Sequence, residues 1–70
     1  MNGFIGKLIL AYLRTKCPDI SPLVMPQGRY WRYAVPNQKE PGRLLYGMYR
    51  PGCGELIKNH CDETLKLAGY

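Results

Sequence analysis

Three cysteines and one histidine are the side chains of this sequence best suited to metal or catalytic chemistry. Thiolate and imidazole groups bind zinc, and a structural zinc site needs four such ligands. The spacing does not favour a site, because there is no C-x-x-C pair and two candidates are adjacent residues, which point about 100° apart on a helix. We therefore predict no metal site. The four residues are Cys17, Cys53, His60 and Cys61.

A cysteine–histidine nucleophile is the second possibility. Cys53 precedes a predicted helix, a position that can activate a thiol. His60 lies about two turns further on, roughly 10 Å along the axis, which is too far for a hydrogen bond between the two side chains. Paired carboxylates are missing, and the glycine groups lack the lysine and the spacing of a phosphate-binding loop. The sequence therefore predicts neither an enzyme nor a bound cofactor.

Positive charge is concentrated in the middle of the chain. Residues 29–50 hold five cations and one carboxylate, a net +4 out of +5 for the whole sequence, and five of the eight aromatic residues. Cations interleaved with aromatic rings are typical of nucleic-acid-binding surfaces, although such rings can equally form the core of a plain strand. The candidate contact residues are Arg29, Tyr30, Arg32, Lys39, Arg43, Tyr49 and Arg50.

Two amphipathic segments predict helices at the two ends of the chain. In "NGFIGKLILAYLRTK", apolar residues recur at steps of three and four, which predicts a helix over about 3–16 that ends before Pro18. A second helix is predicted from Glu55 to about Ala68, with Gly69 as its stop. The stripes predicted to be core are Phe4, Ile5, Leu8, Ile9, Tyr12 and Leu13 in the first helix, and Ile57, Cys61, Leu65 and Ala68 in the second.

The segment "RYWRYAV", residues 29–35, predicts a strand with two different faces. Side chains alternate along a strand, so Trp31, Tyr33 and Val35 share the predicted core face. Tyr30 and Arg32 lie on the other face, which is the predicted binding face. Arg29 has the parity of the core face, so its assignment stays open.

The segment "GRLLYGMYR", residues 42–50, predicts the partner strand, with the polar linker "PNQKEPG" as a long hairpin loop. Leu44 is expected on the core side together with Tyr46, and Tyr49 is expected on the binding face. The proline-rich residues 17–28 predict an irregular or edge-strand connection. Its apolar residues can pack beneath it, and they are Ile20, Leu23, Val24 and Met25.

Together these elements predict an α+β fold with an N-terminal helix, an antiparallel β-hairpin or small sheet, and a C-terminal helix. Seventy residues make a single small domain, 1–70, near the lower limit for a chain that folds alone. The core of such a domain stabilises it by roughly 3–5 kcal/mol. A partner or a homodimer can therefore contribute to its order.

Residues 29–70 resemble the amino-terminal arm-type DNA-binding domain of phage and genomic-island tyrosine integrases. The matching stretches are Tyr30-Trp31-Arg32, Lys39 in the hairpin loop, Leu44 to Tyr49 around Gly47, Pro51, and the helix that runs to Gly69. The resemblance implies a three-stranded sheet packed on a helix, with the exposed sheet face in the DNA major groove. The chain departs from the family pattern in its "SPLVMPQG" segment and in the extra Arg50 before Pro51.

The leading hypothesis is a non-catalytic DNA-binding module of a phage or mobile element, which contacts DNA through its basic aromatic hairpin. The alternative is a small phage accessory protein that binds and inhibits or modulates a host protein complex, because arginine and aromatic residues also dominate protein-interface hot spots. The odd number of cysteines favours a reducing compartment. The apolar run "LILAYL" is too short for a membrane span, so the predicted location is the cytoplasm.

Overall fold

The computed structural model describes residues 3–18 and 22–70 of the chain. The strands form one antiparallel sheet in the order β1-β2-β3. The predicted α+β fold with a helix at each end is confirmed. The elements in chain order are α1 (Gly3–Lys16), β1 (Leu23–Gln27), β2 (Tyr30–Pro36), β3 (Leu44–Tyr49) and α2 (Ile57–Leu67).

Strand β1 makes the sheet three-stranded where the sequence shows only two clear strands. It is an edge strand, and for that reason it tolerates Pro26, which has no N–H to donate to a ladder. It pairs with β2 from Leu23 opposite Ala34 to Gln27 opposite Tyr30. The strand predicted from Arg29 therefore begins one residue later, and Arg29 lies in the two-residue turn that joins β1 to β2. Ile20 lies outside the described residues.

The two helices pack side by side on one face of the sheet. Ile9 and Leu13 of α1 are fully buried there, with Ile5 and Tyr12 partly buried at the edge. Phe4 and Leu8 were predicted to be core and are exposed, because this short sheet covers only part of the apolar stripe of α1. The predicted stripe of α2 is confirmed: Cys61, Leu65 and Ala68 are buried and Ile57 packs against them.

Helix α2 begins at Ile57, so Glu55 precedes the helix and is not in its first turn. The predicted stop at Gly69 is confirmed. Gly69 has a φ of 96°, and the N–H of Tyr70 donates to the carbonyl of Leu65 over 2.9 Å. The N–H of Gly69 also donates to the carbonyl of Lys66. These two hydrogen bonds form the Schellman motif, which closes a helix C-terminus.

Two glycines permit close contacts between elements. A Cβ atom on Gly6 of α1 would lie 2.6 Å from Cη2 of Trp31, so the missing side chain is what lets the indole ring pack against the helix. On β3, a Cβ atom on Gly47 would overlap the ring of Tyr33, which lies opposite it in the sheet. The loss of helix propensity at Gly6 is thus offset by packing.

The face assignment predicted for β3 is wrong. Leu45, Gly47 and Tyr49 point toward the helices, whereas Leu44 and Tyr46 point away from them and are exposed. Every residue of β3 is apolar or glycine, so alternation of polar and apolar residues could not distinguish the two faces. The register is instead set by the tertiary fit of Gly47 against the large ring on β2.

Candidate functional site

The face of the sheet away from the helices, here called the open face, is the candidate functional site. None of the described helices packs on it. Six of its large apolar side chains are exposed, and Arg32 is its one charged residue within the three strands. Its side chains come from alternate positions of the three strands: Leu23, Met25, Gln27, Tyr30, Arg32, Ala34, Pro36, Leu44, Tyr46 and Met48.

Arg32 occupies the centre of the open face, between Met25 on β1 and Met48 on β3. Its guanidinium carbon lies 4.6 Å from the centroid of the Tyr46 ring, a cation–π contact between diagonal neighbours on adjacent strands. Among residues 3–18 and 22–70, no carboxylate pairs with this arginine. The Tyr46 ring contacts the guanidinium without accepting its N–H groups as an oxygen acceptor would, so these groups stay available to a ligand.

A recess opens beside Arg32, above Ala34. Ala34 is only 2% exposed, because its cross-strand partners Leu23 and Tyr46 rise on either side of its short side chain. The recess has a volume of about 190 Å³, and Met25 and Arg32 complete its rim. The open face is therefore a contoured surface with an apolar hollow next to a cation.

Tyr49 was a predicted contact residue on the binding face, and the structure corrects this. Its side chain lies on the core face, 7% exposed, and its hydroxyl donates a 2.8 Å hydrogen bond to the carbonyl of Glu55. Its ring packs edge-on against His60, which also contacts the ring of Tyr33. Tyr49 therefore joins the sheet to the segment before α2 and cannot stack on an external ligand.

The remaining predicted cations lie at the two ends of the sheet. Arg29, in the β1–β2 turn, and Arg50, directly after β3, lie at the end where Tyr30 is found. Lys39 and Arg43 lie in the β2–β3 loop at the opposite end. The described part of the chain offers no ion-pair partner to these four residues. The predicted set is thus divided into one central arginine and two peripheral pairs.

The β2–β3 loop is an ordered support for its two cations. The Asn37 side chain accepts a hydrogen bond from the N–H of Lys39 over 3.0 Å, and the Asn37 N–H donates to the carbonyl of Arg43 over 2.9 Å. The N–H of Gln38 donates to the carbonyl of Ala68 at the end of α2 over 2.7 Å. This last bond fixes the loop to the helical layer, and Arg43 lines a shallow cleft beside it.

The cysteines and His60 do not converge on a common site. Cys17 and Cys61 are buried, whereas Cys53 is exposed, and no group of three metal-ligand side chains forms among the described residues. Burial raises the pKa of the Cys61 thiol to about 11, so this residue is protonated at neutral pH. Cys53 precedes the first residue of α2 by four positions, so it is not at the helix N-terminus.

Polar groups buried between the sheet and the helices differ in whether they find a hydrogen-bond partner. The Tyr33 hydroxyl lies 2.8 Å from Oγ1 of Thr64, and burial raises the pKa of Tyr33 well above its usual range. The Nδ1 atom of His60 lies 3.4 Å from a carboxylate oxygen of Glu55. The Nε2 atom of His60 is buried and has no hydrogen-bond partner in the described structure.

A small polar cluster joins α1 to α2. The Tyr12 hydroxyl donates to Asp62, which also pairs with Lys58 over 2.8 Å. The hydrogen bond from Lys58, followed by the one from Tyr12, lowers the pKa of Asp62. The carboxylate in turn raises the pKa of Tyr12 and of Lys58. These partners satisfy one another, so the cluster is a link between helices.

Sequence reasoning identified Tyr30 and Arg32 on the open face but missed its apolar residues. Tyr46 was expected in the core, and it is the side chain that stacks on Arg32. The available signal was the uninterrupted apolar character of β3, which leaves large apolar side chains on whichever face is not covered. The residues missed were Leu23, Met25, Leu44, Tyr46 and Met48.

Comparison with known proteins yields no relative. No protein-family model matches the chain, and neither a curated protein nor a solved structure matches it. Within the described residues, no helix has the length and apolar character needed to cross a membrane.

Proposed function

We propose that this chain is a non-catalytic protein-binding module whose contact surface is the open face of the sheet. The observation that carries the proposal is the group of large apolar side chains exposed around a single arginine. Tyr46 is 54% exposed and Leu23 is 56% exposed, although the other face of the sheet packs against the helices. A contiguous exposed apolar patch of this kind is typical of interaction surfaces.

The composition of the open face supports the proposal. Arginine, tyrosine and methionine are enriched in protein interfaces, and lysine and the acidic residues are depleted. The open face contains Arg32, two tyrosines and two methionines, and neither lysine nor an acidic residue lies on it. Because Tyr46 already holds the guanidinium, binding requires little further ordering of that side chain.

Charge indicates the partner's chemistry. Arg32 lies at the centre, and the two ends of the sheet add four unpaired cations against one carboxylate, Glu40, in the β2–β3 loop. A complementary protein surface is therefore apolar, with one carboxylate opposite Arg32 and further carboxylates around its edge. This corresponds to the accessory-protein alternative, in which the chain binds a host protein.

The test is capture of a partner with matched pairs of variants. The chain is immobilised, an extract of the cells from which it derives is applied, and bound proteins are quantified by mass spectrometry. We expect a specific partner on the wild type, and at least about tenfold less of it on the double variant Tyr46→Ser with Met48→Thr, which corresponds to about 1.4 kcal/mol.

The control replaces two apolar residues on the helices that are even more exposed than Tyr46 and Met48, Phe4→Ser with Leu67→Ser, and we expect it to retain the partner. Circular dichroism checks that both variants are folded. A partner that is retained by the open-face variant but lost from the helix variant would contradict the proposal.

A second proposal, DNA binding, is favoured by the peripheral cations. Arg29 and Arg50 at one end and Lys39 and Arg43 at the other can contact phosphates on either side of a groove, with Arg32 between them. The resemblance of residues 29–70 to the integrase domain stays a prediction. It implies that the exposed sheet face lies in the DNA major groove, and the second proposal assumes the same mode of binding. DNA binding in this mode also requires several apolar side chains of the open face to lie against the groove.

Fluorescence anisotropy with a random-sequence duplex at increasing salt tests this second proposal. DNA binding predicts an affinity that falls steeply with salt, and Arg29→Ala with Arg50→Ala should reduce the magnitude of the log–log slope by about 1 per lost phosphate contact. The control Lys7→Ala with Arg14→Ala removes two exposed cations from α1 and should leave the slope unchanged. Equal slopes for the two double variants would eliminate DNA binding by the Arg29 and Arg50 end of the sheet.

A further inference from the structure

The recess above Ala34 is an apolar hollow with a cation beside it. Its walls are the apolar side chains of Leu23, Met25 and Tyr46, and its floor is the methyl group of Ala34. Arg32 supplies the one charged group at its rim. A hollow of about 190 Å³ in an otherwise raised apolar surface can accept one large side chain and remove it from water.

The guanidinium beside the recess is positioned for a carboxylate. The guanidinium carbon of Arg32 lies over the Tyr46 ring, 4.6 Å from the ring centroid. A guanidinium binds a carboxylate through its N–H groups, and the contact with the ring face supplies no oxygen acceptor to them. No carboxylate of the described chain pairs with this guanidinium.

We propose that the recess and Arg32 together form a binding site for a peptide segment of a partner protein, with an apolar anchor side chain in the recess and a nearby Asp or Glu on Arg32. The site deepens the proposed function and rests on it. The short distance between hollow and cation requires the anchor and the carboxylate to be close neighbours in the partner. The site thus recognises acidic, apolar segments and excludes basic ones.

A second copy of the chain is a poor occupant of this site. The central charge of the open face and the charges at its ends are positive apart from Glu40, so two open faces in contact would bring like charges together. The described carboxylates Glu55, Asp62 and Glu63 belong to α2 or the segment before it, behind the sheet. Charge therefore favours a different, acidic protein.

The experiment selects peptides from a displayed library of random linear sequences on the immobilised full chain. We expect the enriched sequences to contain a large apolar residue within a few positions of Asp or Glu. One enriched peptide is then synthesised, and its affinity is measured by fluorescence anisotropy for the wild type and for two variants, Ala34→Leu and Arg32→Gln. Each variant is expected to weaken binding by about tenfold or more.

The matched control for Ala34→Leu is Ala11→Leu, the same change at an exposed position of α1, which should leave the affinity unchanged. Trp31 fluorescence and circular dichroism verify the fold of each variant. Replacing the acidic residue of the peptide by its amide should weaken binding to the wild type but have little further effect on Arg32→Gln, which a double-mutant cycle quantifies. This coupling remains a test of the site even where Ala34→Leu perturbs the sheet.

Several outcomes overturn the proposal: no enriched peptide, enriched peptides that are basic or lack an apolar anchor, or equal effects of the leucine substitutions at 34 and 11. Binding of a single-stranded oligonucleotide that depends on Ala34 would assign the recess to a nucleobase instead. If the captured cellular partner depends on Tyr46 and Met48 but not on Ala34 or Arg32, the proposed function stands and the peptide site falls. If it depends on none of the four, both fall.

Discussion

The two faces of the sheet have similar residue types and opposite roles. Each face has two tyrosines, and on the core face Tyr33 and Tyr49 are buried with their hydroxyls hydrogen-bonded to Thr64 and to the carbonyl of Glu55. On the open face, Tyr30 and Tyr46 are exposed. Residue type alone therefore does not decide the role of a tyrosine in this protein. What decides it is whether the side chain is covered and its hydroxyl finds a hydrogen-bond partner inside the protein.

The largest contrast is expected from truncating one tyrosine on each face. Tyr33→Ala removes a fully buried ring and leaves a cavity, which typically costs about 3–5 kcal/mol. That cost is comparable with the whole stability of a domain of this size, so the variant should be largely unfolded. Tyr46→Ala should change the free energy of unfolding by less than about 1 kcal/mol. Urea unfolding followed by circular dichroism measures both.

The graded control is Tyr33→Phe, which keeps the ring and loses only the hydrogen bond to Thr64, at a cost of about 1 kcal/mol. Equal destabilisation by the two alanine variants would break the distinction between the faces.

Alkaline pH should destabilise the core through Cys61. Its pKa is raised from 9.0 to about 11 by burial, so the folded state holds the proton more tightly than the unfolded state. The stabilising contribution is complete below pH 9 and is lost as the pH rises toward 11, at about 1.4 kcal/mol per pH unit, or about 2.7 kcal/mol in all. Tyr33, whose pKa is also raised, adds a loss of the same sign above pH 10.

Urea unfolding at several pH values, under reducing conditions, measures this loss. The variant Cys61→Ala should show a flatter profile between pH 9 and 10, where the contribution of Tyr33 has not yet begun. A wild-type stability that is constant from pH 7 to 10.5 would show that Cys61 and Tyr33 are open to water.

The contact between α1 and β2 should depend on Gly6 and not on Gly3. Gly6→Ala places a methyl group 2.6 Å from Cη2 of Trp31, and such overpacking costs about 1–3 kcal/mol, less a gain of up to about 1 kcal/mol in helix propensity. At Gly3 no atom lies within 4 Å of the added methyl group, so the same change should be neutral or slightly stabilising. Thermal unfolding monitored by Trp31 fluorescence compares the two. Stabilisation by both changes would contradict this packing.

The smallest effect is expected for a polar substitution on the open face. Met48→Thr should change the free energy of unfolding by no more than about 0.5 kcal/mol, because this side chain already contacts water. Val35→Thr introduces the same residue at a fully buried position of the core face and should cost at least about 1–3 kcal/mol. Chemical denaturation measures the difference. A large loss for Met48→Thr would mean that the open face helps to hold the fold.

The sequence predicted the features that depend on local signals. The stop before Pro18, the C-terminal end at Gly69 and the core face of β2 follow from proline sterics, glycine at positive φ and alternation. Alternation failed for β3, where neither face is polar. Arg29 was left unassigned, and the structure places it in a two-residue turn outside the strand. For the candidate site, the central arginine was predicted, whereas its apolar surroundings and its stacking partner were not.

Short stretches of the amino-acid sequence thus determine the order of the elements, the bounds of α1 and the core side of β2. Each of these features depends on residues that are close to one another in the sequence. The face of β3, the third strand and the recess above Ala34 depend on contacts between distant residues. Gly47 must lie opposite Tyr33, and Leu23 and Tyr46 must stand on either side of Ala34, before an open face with a hollow beside Arg32 exists. Those contacts form only when the sheet assembles against its two helices, which bury one face and leave the other to a partner.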